Sequence, residues 1–283
     1  MTKVILSTDS TCDLDDTLVE RYNVQIQPLH ITMGETFYRD GIDITPDDIY
    51  ATYESDKILP QTAAPNPQEY IDHFQKWTDQ GYEVVHINLG SGISSSHQNA
   101  KIAASTLPNV YAVDSGNLST GMGHLVIEAG ERILQGKDGQ TIAEEVTSLK
   151  DKVCASFIID KLTYLHAGGR CSALTALSAS VLNIKPRIDV NPTDASMTVG
   201  KKYRGSLEKS LKKYVKDHLS EREDICKDKI FITHSGTSDE IIQLVKDEVD
   251  KHIKFDEVFI TRAGCTISSH CGPNTVGILF MTE

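Results

Sequence analysis

The chain has 283 residues, 39% of them hydrophobic and 24% charged, which suits a water-facing globular protein with room for one large domain or two ordinary ones. A formal net charge of −12 leaves no basic face for an electrostatic grip on nucleic acid or an anionic membrane. No apolar run approaches a membrane span, and the six cysteines form no CxxC pair or zinc spacing, so a cytoplasmic protein with neither stable membrane insertion nor a metal or other cofactor is expected.

Lys3 to Leu6 reads as a buried strand, followed by a polar loop from Thr8 to Asp13. Asp16 to Tyr22 predicts a short helix, and Val24 to Thr32 an alternating strand. Thr45-Pro46-Asp47-Asp48 opens a helix: a capping hydroxyl, proline in the first turn, then acids that the helix dipole favours. Asn66-Pro67 opens another, closed by Gly81, and on spacing alone Thr62 to Pro67 is a loop and helix cap. Val84 to Leu89 is an apolar strand that runs into the turn Gly90-Ser91-Gly92-Ile93-Ser94-Ser95-Ser96, with a helix from about His97. The strand Val110 to Val113, a Gly/Ser loop from Asp114 to Thr120, and helices Met122 to Leu134 and Thr141 to Lys152 follow. Strands alternating with helices predict a mostly parallel sheet covered on both faces, with ligands outside the carboxyl ends of its strands.

A second unit is expected to begin near Ser156, dividing the chain into an N-terminal α/β domain over 1–155 and a C-terminal α/β domain over 156–283. Phe157 to Ile159 reads as a short strand, Leu162 to Ala167 as a short helix ended by Gly168-Gly169, and Ser172 to Leu182 as a further helix. Ile184 to Val190 and Met197 to Arg204 predict a hairpin around Asn191-Pro192-Thr193-Asp194, which makes the second sheet mixed. Helix Leu207 to Leu219, strand Lys229 to Thr233, helix Asp239 to His252 and strand Glu257 to Thr261 follow, then a loop from Gly264 to Asn274 and a closing strand, Val276 to Met281.

The turn from Gly90 to Ser96 is the strongest chemical signal. Backbone N–H groups and hydroxyls at the positive end of a helix dipole favour an anion. A Walker loop would need a Gly-Lys-Ser/Thr ending, which is absent, and a dinucleotide fingerprint would need a glycine where Ser95 stands. A nucleophile elbow would need a glycine where Ser96 stands. Several readings stay open: serines that only cap a helix, an anion held between Ser94 and His270, an acyl hydrolase with Ser94 as nucleophile and His270 as base, or an enzyme acting on a phosphorylated small molecule. Arg170 and Arg204 are either partners for that anion or surface charges. His86 and His234, in or beside apolar strands, read as structural residues.

Taken together, the letters resemble the DegV family of bacterial fatty-acid-binding proteins, in order over essentially the full length. Thr8-Asp9-Ser10-Thr11-Cys12-Asp13-Leu14 is similar to its T-D-S-x-x-D-L opening, and Tyr38-Arg39-Asp40-Gly41 to its Y-x-D-G element. Thr62 to Pro67 stands in place of T-S-Q-P-S-P, and Ile93 to Ser96 in place of L-S-G-T. Leu165 to Arg170 resembles L-x-x-G-G-R, followed by Ile184-Lys185-Pro186, and His270 to Pro273 resembles H-x-G-P. The resemblance implies two α/β domains around an apolar tunnel that holds a long-chain fatty acid. Its carboxylate would be bound by Thr62 and Ser94, with His270 in the same polar network and Arg170 and Arg204 near the head group. It further implies a non-catalytic carrier that presents the acid to a separate ATP-dependent fatty acid kinase, which makes an acyl-phosphate for phospholipid metabolism. Ala63, Ala64 and Asn66 depart from the first segment, and Ser95 replaces the glycine of the second, where an added donor or a narrower approach is expected.

Overall fold

The structure is a computed structural model that describes residues 3–171 and 184–283. The helix expected over Ser172 to Leu182 lies outside the described residues. In chain order the first half contributes β1 (Val4–Asp9), α1 (Asp16–Arg21), β2 (Gln25–Gln27), β3 (His30–Met33), β4 (Thr36–Arg39), α2 (Pro46–Asp56) and β5 (Gln61–Ala63). It continues with α3 (Pro67–Thr78), β6 (Glu83–Asn88), α4 (Ser96–Ala104), β7 (Val110–Asp114), α5 (Ser119–Leu134) and α6 (Gly139–Leu149). The second half contributes β8 (Val153–Ile158), α7 (Leu162–Gly168), β9 (Ile184–Val190), β10 (Met197–Arg204) and α8 (Leu207–Ser220). Then come β11 (Ile225–His234), α9 (Asp239–His252), β12 (Glu257–Arg262), α10 (Cys265–Cys271) and β13 (Val276–Thr282).

β2, β1, β6 and β7 pair in that order, all parallel. The second sheet runs β10-β9-β8-β13-β11-β12 and is mixed: its pairs are antiparallel except β11 with β12. The expected α/β class, with one parallel and one mixed sheet, is therefore what the chain adopts. β4, β3 and β5 form a small antiparallel sheet that the sequence reading did not foresee. It arises where Val24 to Thr32 was expected as one strand. Pro28 has no N–H to continue a ladder, so the chain leaves the parallel sheet after β2 and enters the small one at β3. β8 straddles the expected boundary at residue 155 and pairs wholly within the mixed sheet, starting at Val153.

Period-two patterning in β6 explains the layers. Val84 packs with Tyr70 and Phe74 of α3 and with Ala100 and Ala103 of α4, whereas Val85 and Ile87 join the core around α5. α5 is buried from Ser119 to Ile127 because it lies between the two large sheets, and a helix apolar on all sides belongs in such a place. α8 and α9 cover the other face of the mixed sheet, where Ile230, Ile232, Ile278 and Phe280 meet Leu211, Val215 and Val245. Among the described residues, no helix is long and apolar enough to cross a membrane.

The tip of the β9–β10 hairpin docks onto the first half through glycines. Gly92 N–H donates to Asp194 O at 2.8 Å, and a Cβ added to Gly90 would stand 2.3 Å from Ala195 Cβ. Gly116 has φ +56°, and a Cβ there would stand 2.0 Å from Pro192 O. Gly116→Ala combines a left-handed backbone with a clash and should cost about 2–4 kcal/mol. Urea unfolding checks this; a loss below about 0.5 kcal/mol, the range of ordinary surface substitutions, would refute the docking role.

Candidate functional site: a half-polar cavity between the sheets

A cavity of about 330 Å³ is lined by the turn after β6 and the loop after β7, outside the carboxyl ends of parallel strands where such folds bind ligands. Its volume lies in the range of small-molecule sites, about 300–1,000 Å³. Polar side chains come from β5 (Thr62), the β6–α4 turn (Ser94, Ser95), the end of α7 (Arg170) and α10 (Thr266, His270). Apolar lining comes from both halves, including Leu89, Ile93, Leu118, Phe157, Leu165 and Met197.

Thr62 Oγ1 and His270 Nε2 are 2.8 Å apart, although 208 positions separate them in sequence. Burial, with the Arg170 guanidinium adding to it, pushes the His270 imidazole down to about 4, so the ring is neutral near pH 7. Its Nδ1 has no hydrogen-bond partner among the described residues and faces Gly168, where an added Cβ would stand 2.1 Å away. Gly168 therefore lets α7 approach α10. Gly169 closes α7 with φ +67°, and Arg170 then donates to Gly168 O at 2.8 Å while lining the cavity. Ser94 donates to Ser96 Oγ at 3.1 Å and accepts from Ser96 N–H at 3.1 Å. A hydroxyl contact that long is weak and easily redirected.

The structure thus brings Thr62, Ser94, Ser95, Arg170 and His270 to one cavity. Arg204 is exposed at the end of β10 and is not among the cavity's lining residues. Ser95 has φ −82° and ψ 0°, a backbone that any residue adopts, so the chain has no conformational need for glycine there.

Two sequence-based expectations need correcting. The segment from Gly264 to Asn274 was expected as a loop, but it contains α10, so His270 sits in the last turn of a helix. The start of that helix is held from far away. Asp40 accepts from Cys265 N–H at 2.8 Å and Thr266 N–H at 3.2 Å, and Asp13 accepts from Gly264 N–H at 2.8 Å. A local reading of caps cannot see such partners. The turn from Gly90 to Ser96 is also not an open row of N–H donors: Leu89 donates to Asp9, Gly90 to Asn117 O, Ser91 to Asp114, Gly92 to Asp194 O and Ile93 to Gly90 O. Ser94 and Ser95, which follow these committed groups, are the residues of the turn's serine run that line the cavity.

Asp9, Asp13, Asp40 and Thr266 are the residues whose roles the sequence reading missed. Burial outweighs the bonds from Ser119 and Gly264 and pushes the Asp13 carboxyl up to about 8, with Asp40 nearby adding repulsion. Thr266 lines the cavity, and its hydroxyl has no partner among the described residues. The pairing that a hydrolase would use, Ser94 to His270, is not made. Among the described residues no group of three or more His, Cys, Asp or Glu side chains is placed to hold a metal.

Fold and site together define an α/β protein built on two large sheets and one small one, with a cavity that is part hydroxyl and imidazole, part hydrocarbon. The family model described as "Uncharacterised protein, DegV family" matches residues 3–283. The chain belongs to the DegV family. A DegV domain-containing protein of Clostridium perfringens is 28% identical over 288 residues, covering 100% of each chain. Among solved structures, a DegV family protein from Thermus thermophilus described as binding fatty acid shares 25% identity and a TM-score of 0.88 over 100% of both chains. A stearic acid-binding protein of Eubacterium ventriosum is also 25% identical, with a TM-score of 0.85 over 100% of this chain and 98% of that one.

A histidine held neutral by burial lets the unfolded state bind the extra proton, so its contribution is complete above pH 6.5 and is lost as pH falls toward 4. Across that window the wild type should lose stability more steeply than His270→Gln, by about 1.4 kcal/mol per pH unit. Parallel slopes in urea titrations would show that His270 is not held neutral by burial.

Proposed function

We propose that the protein binds one long-chain fatty acid in this cavity, the carboxylate at Thr62 and Ser94 and the hydrocarbon along the apolar lining. The observation that carries the reading is the single cavity in which Thr62, paired to a neutral His270, and Ser94 share a wall with Leu118, Phe157, Leu165 and Met197. With the proton on Nε2, His270 donates to Thr62 Oγ1 and frees the threonine hydroxyl proton for an acceptor in the cavity. Ser94 turns from Ser96 to the second oxygen. Arg170 supplies positive charge at the same lining, and Ser95 an additional hydroxyl. The relatives from Thermus thermophilus and Eubacterium ventriosum, described as binding fatty acids, support the ligand class.

Energetics divide the ligand into two parts. A chain of roughly fifteen methylenes supplies on the order of 12 kcal/mol gross on burial, whereas each hydrogen bond to the charged head adds about 1.5–3 kcal/mol. The hydrocarbon sets affinity and the hydroxyls set orientation. On this reading the halves 1–155 and 156–283 act as two domains that enclose the acid, and the protein works in the cytoplasm as a carrier. It presents the carboxylate to a separate ATP-dependent fatty acid kinase for acyl-phosphate formation. The chain has no Walker motif of its own, and the bonds Ser94 makes to Ser96 and His270 makes to Thr62 favour holding an acid over cleaving an ester.

Denaturing extraction and mass spectrometry of purified protein should release a long-chain fatty acid; no release, with no binding of added acid, would overturn the proposal. Thr62→Ala and Ser94→Ala should each weaken binding roughly tenfold or more, as expected for one lost bond to a carboxylate. Unchanged affinity in both variants refutes the head-group assignment. With bound acid and ATP but no kinase, no acyl-phosphate should form.

A further inference from the structure

A second, smaller chamber of about 30 Å³ adjoins the cavity, and the two share Leu118, Phe157, Ile267 and Cys271 as a common wall. None of the head-group residues lines the smaller chamber, so it branches from the hydrocarbon part. It exceeds the ~10–15 Å³ that admits one water-sized group, yet it has no space for a ring or a head group. Its origin is visible in the sheet. Gly277 stands directly opposite Phe157 in the β8–β13 pair and brings no side chain, and Ala263 brings only a methyl.

Four hydroxyls border the chamber, and each is already committed. Ser119 donates to Asp13, Ser235 to Gly272 O, and Thr275 to Cys271 O at 2.9 Å. Thr233 Oγ1 lies 2.6 Å from Thr120 Oγ1 and 2.9 Å from Thr261 Oγ1. His234 also borders the chamber, and its Nδ1 accepts from Gly236 N–H at 3.2 Å. A space walled mainly by apolar atoms, with its hydroxyls already bonded, offers a water too few partners, and such spaces take apolar occupants.

Resting on the fatty-acid reading above, we propose that this chamber receives the methyl end of the acyl chain and that Phe157 in the shared wall sets the chain length accepted. The ligand would run from Thr62 and Ser94 past Leu118, its terminal methyl passing between Phe157 and Ile267 into the chamber. Shortening Phe157 widens this passage and admits a longer chain. Filling the chamber from Ala263 shortens the chain that fits.

The experiment offers the protein an equimolar mixture of myristate, palmitate, stearate and arachidate, and reads the bound acids by mass spectrometry. Phe157→Ala should raise the stearate-to-palmitate ratio about tenfold or more, at about fourfold for each additional buried methylene. Ala263→Val should lower the same ratio. Each readout is a ratio within one variant, so a general loss of stability does not imitate it, and either variant alone suffices if the other fails to fold. A wild type that binds none of the acids defeats the fatty-acid reading and this inference with it. A wild type that binds them, with the same length order in the folded variants, overturns this inference alone. Gly277 is unsuitable as a probe, because an added Cβ would stand 2.7 Å from Ser156 O.

Discussion

The site depends on a carboxylate that no solvent reaches. Asp9, at the end of β1, is fully buried and accepts from Leu89 N–H at 2.9 Å, Tyr70 OH at 2.6 Å, His86 Nε2 at 3.2 Å and Asn88 Nδ2 at 3.3 Å. A buried acid without such donors would be strongly destabilising, so the donors must converge for the fold to form. Because one of them is the backbone at Leu89, the bond fixes how the chain leaves β6 and so where Ser94 stands. Ser10, the next residue, donates to Asp40 and accepts from Leu29 N–H. Asp40 and Asp13 then hold the first N–H groups of α10, the helix that carries His270. One short segment after β1 thus ties together the parts of the chain that line the cavity.

The glycines of the β6–α4 turn serve a different end from the one their spacing suggests. They bring the hairpin tip from Pro192 to Ala195 within van der Waals distance of the turn and of Gly116. The cavity takes Ser94 and Leu118 from one half and Phe157, Met197 and His270 from the other. A displacement of about 1 Å between halves would open the Thr62–His270 bond, which joins them directly. Close backbone docking supplies the precision that longer side chains would blur.

What could be read from the sequence, and what could not, follows from the range of each cause. Helix starts at Thr45 and Asn66 were legible because each cap is completed within three residues, by Asp48 and Glu69. The parallel sheet was legible from alternation of strand and helix, and the mixed character of the second from the hairpin around Asn191 to Asp194. α10 was not, because its apolar pattern is short and its caps come from Asp13 and Asp40, more than 200 positions away. The small sheet escaped notice because β5 is three residues long, within a segment dominated by the helix cap that follows. Ser94 and His270 were candidates from the Gly/Ser turn and the loop before the last strand, whereas Thr62 was reached by family resemblance alone. No local pattern shows that a hydroxyl at the end of a three-residue strand meets an imidazole in the last turn of a distant helix.

The chemistry of the polar lining suits retention without reaction. Among the described residues the lining pairs no nucleophile with a base: the Ser94 hydroxyl is engaged by Ser96, and His270, neutral and desolvated, bonds to a threonine. A lysine or paired arginines would hold a carboxylate more tightly and would also withdraw its charge from an electrophile. Hydroxyls leave more electron density on the oxygens, which a carboxylate needs if it is to attack a phosphoryl group. Arg170 stands at the boundary between these demands, close enough to depress His270 but bonded to Gly168 O. On the proposed reading, the hydrocarbon carries the affinity so that the head group can be held by weak, reversible contacts and remain a nucleophile.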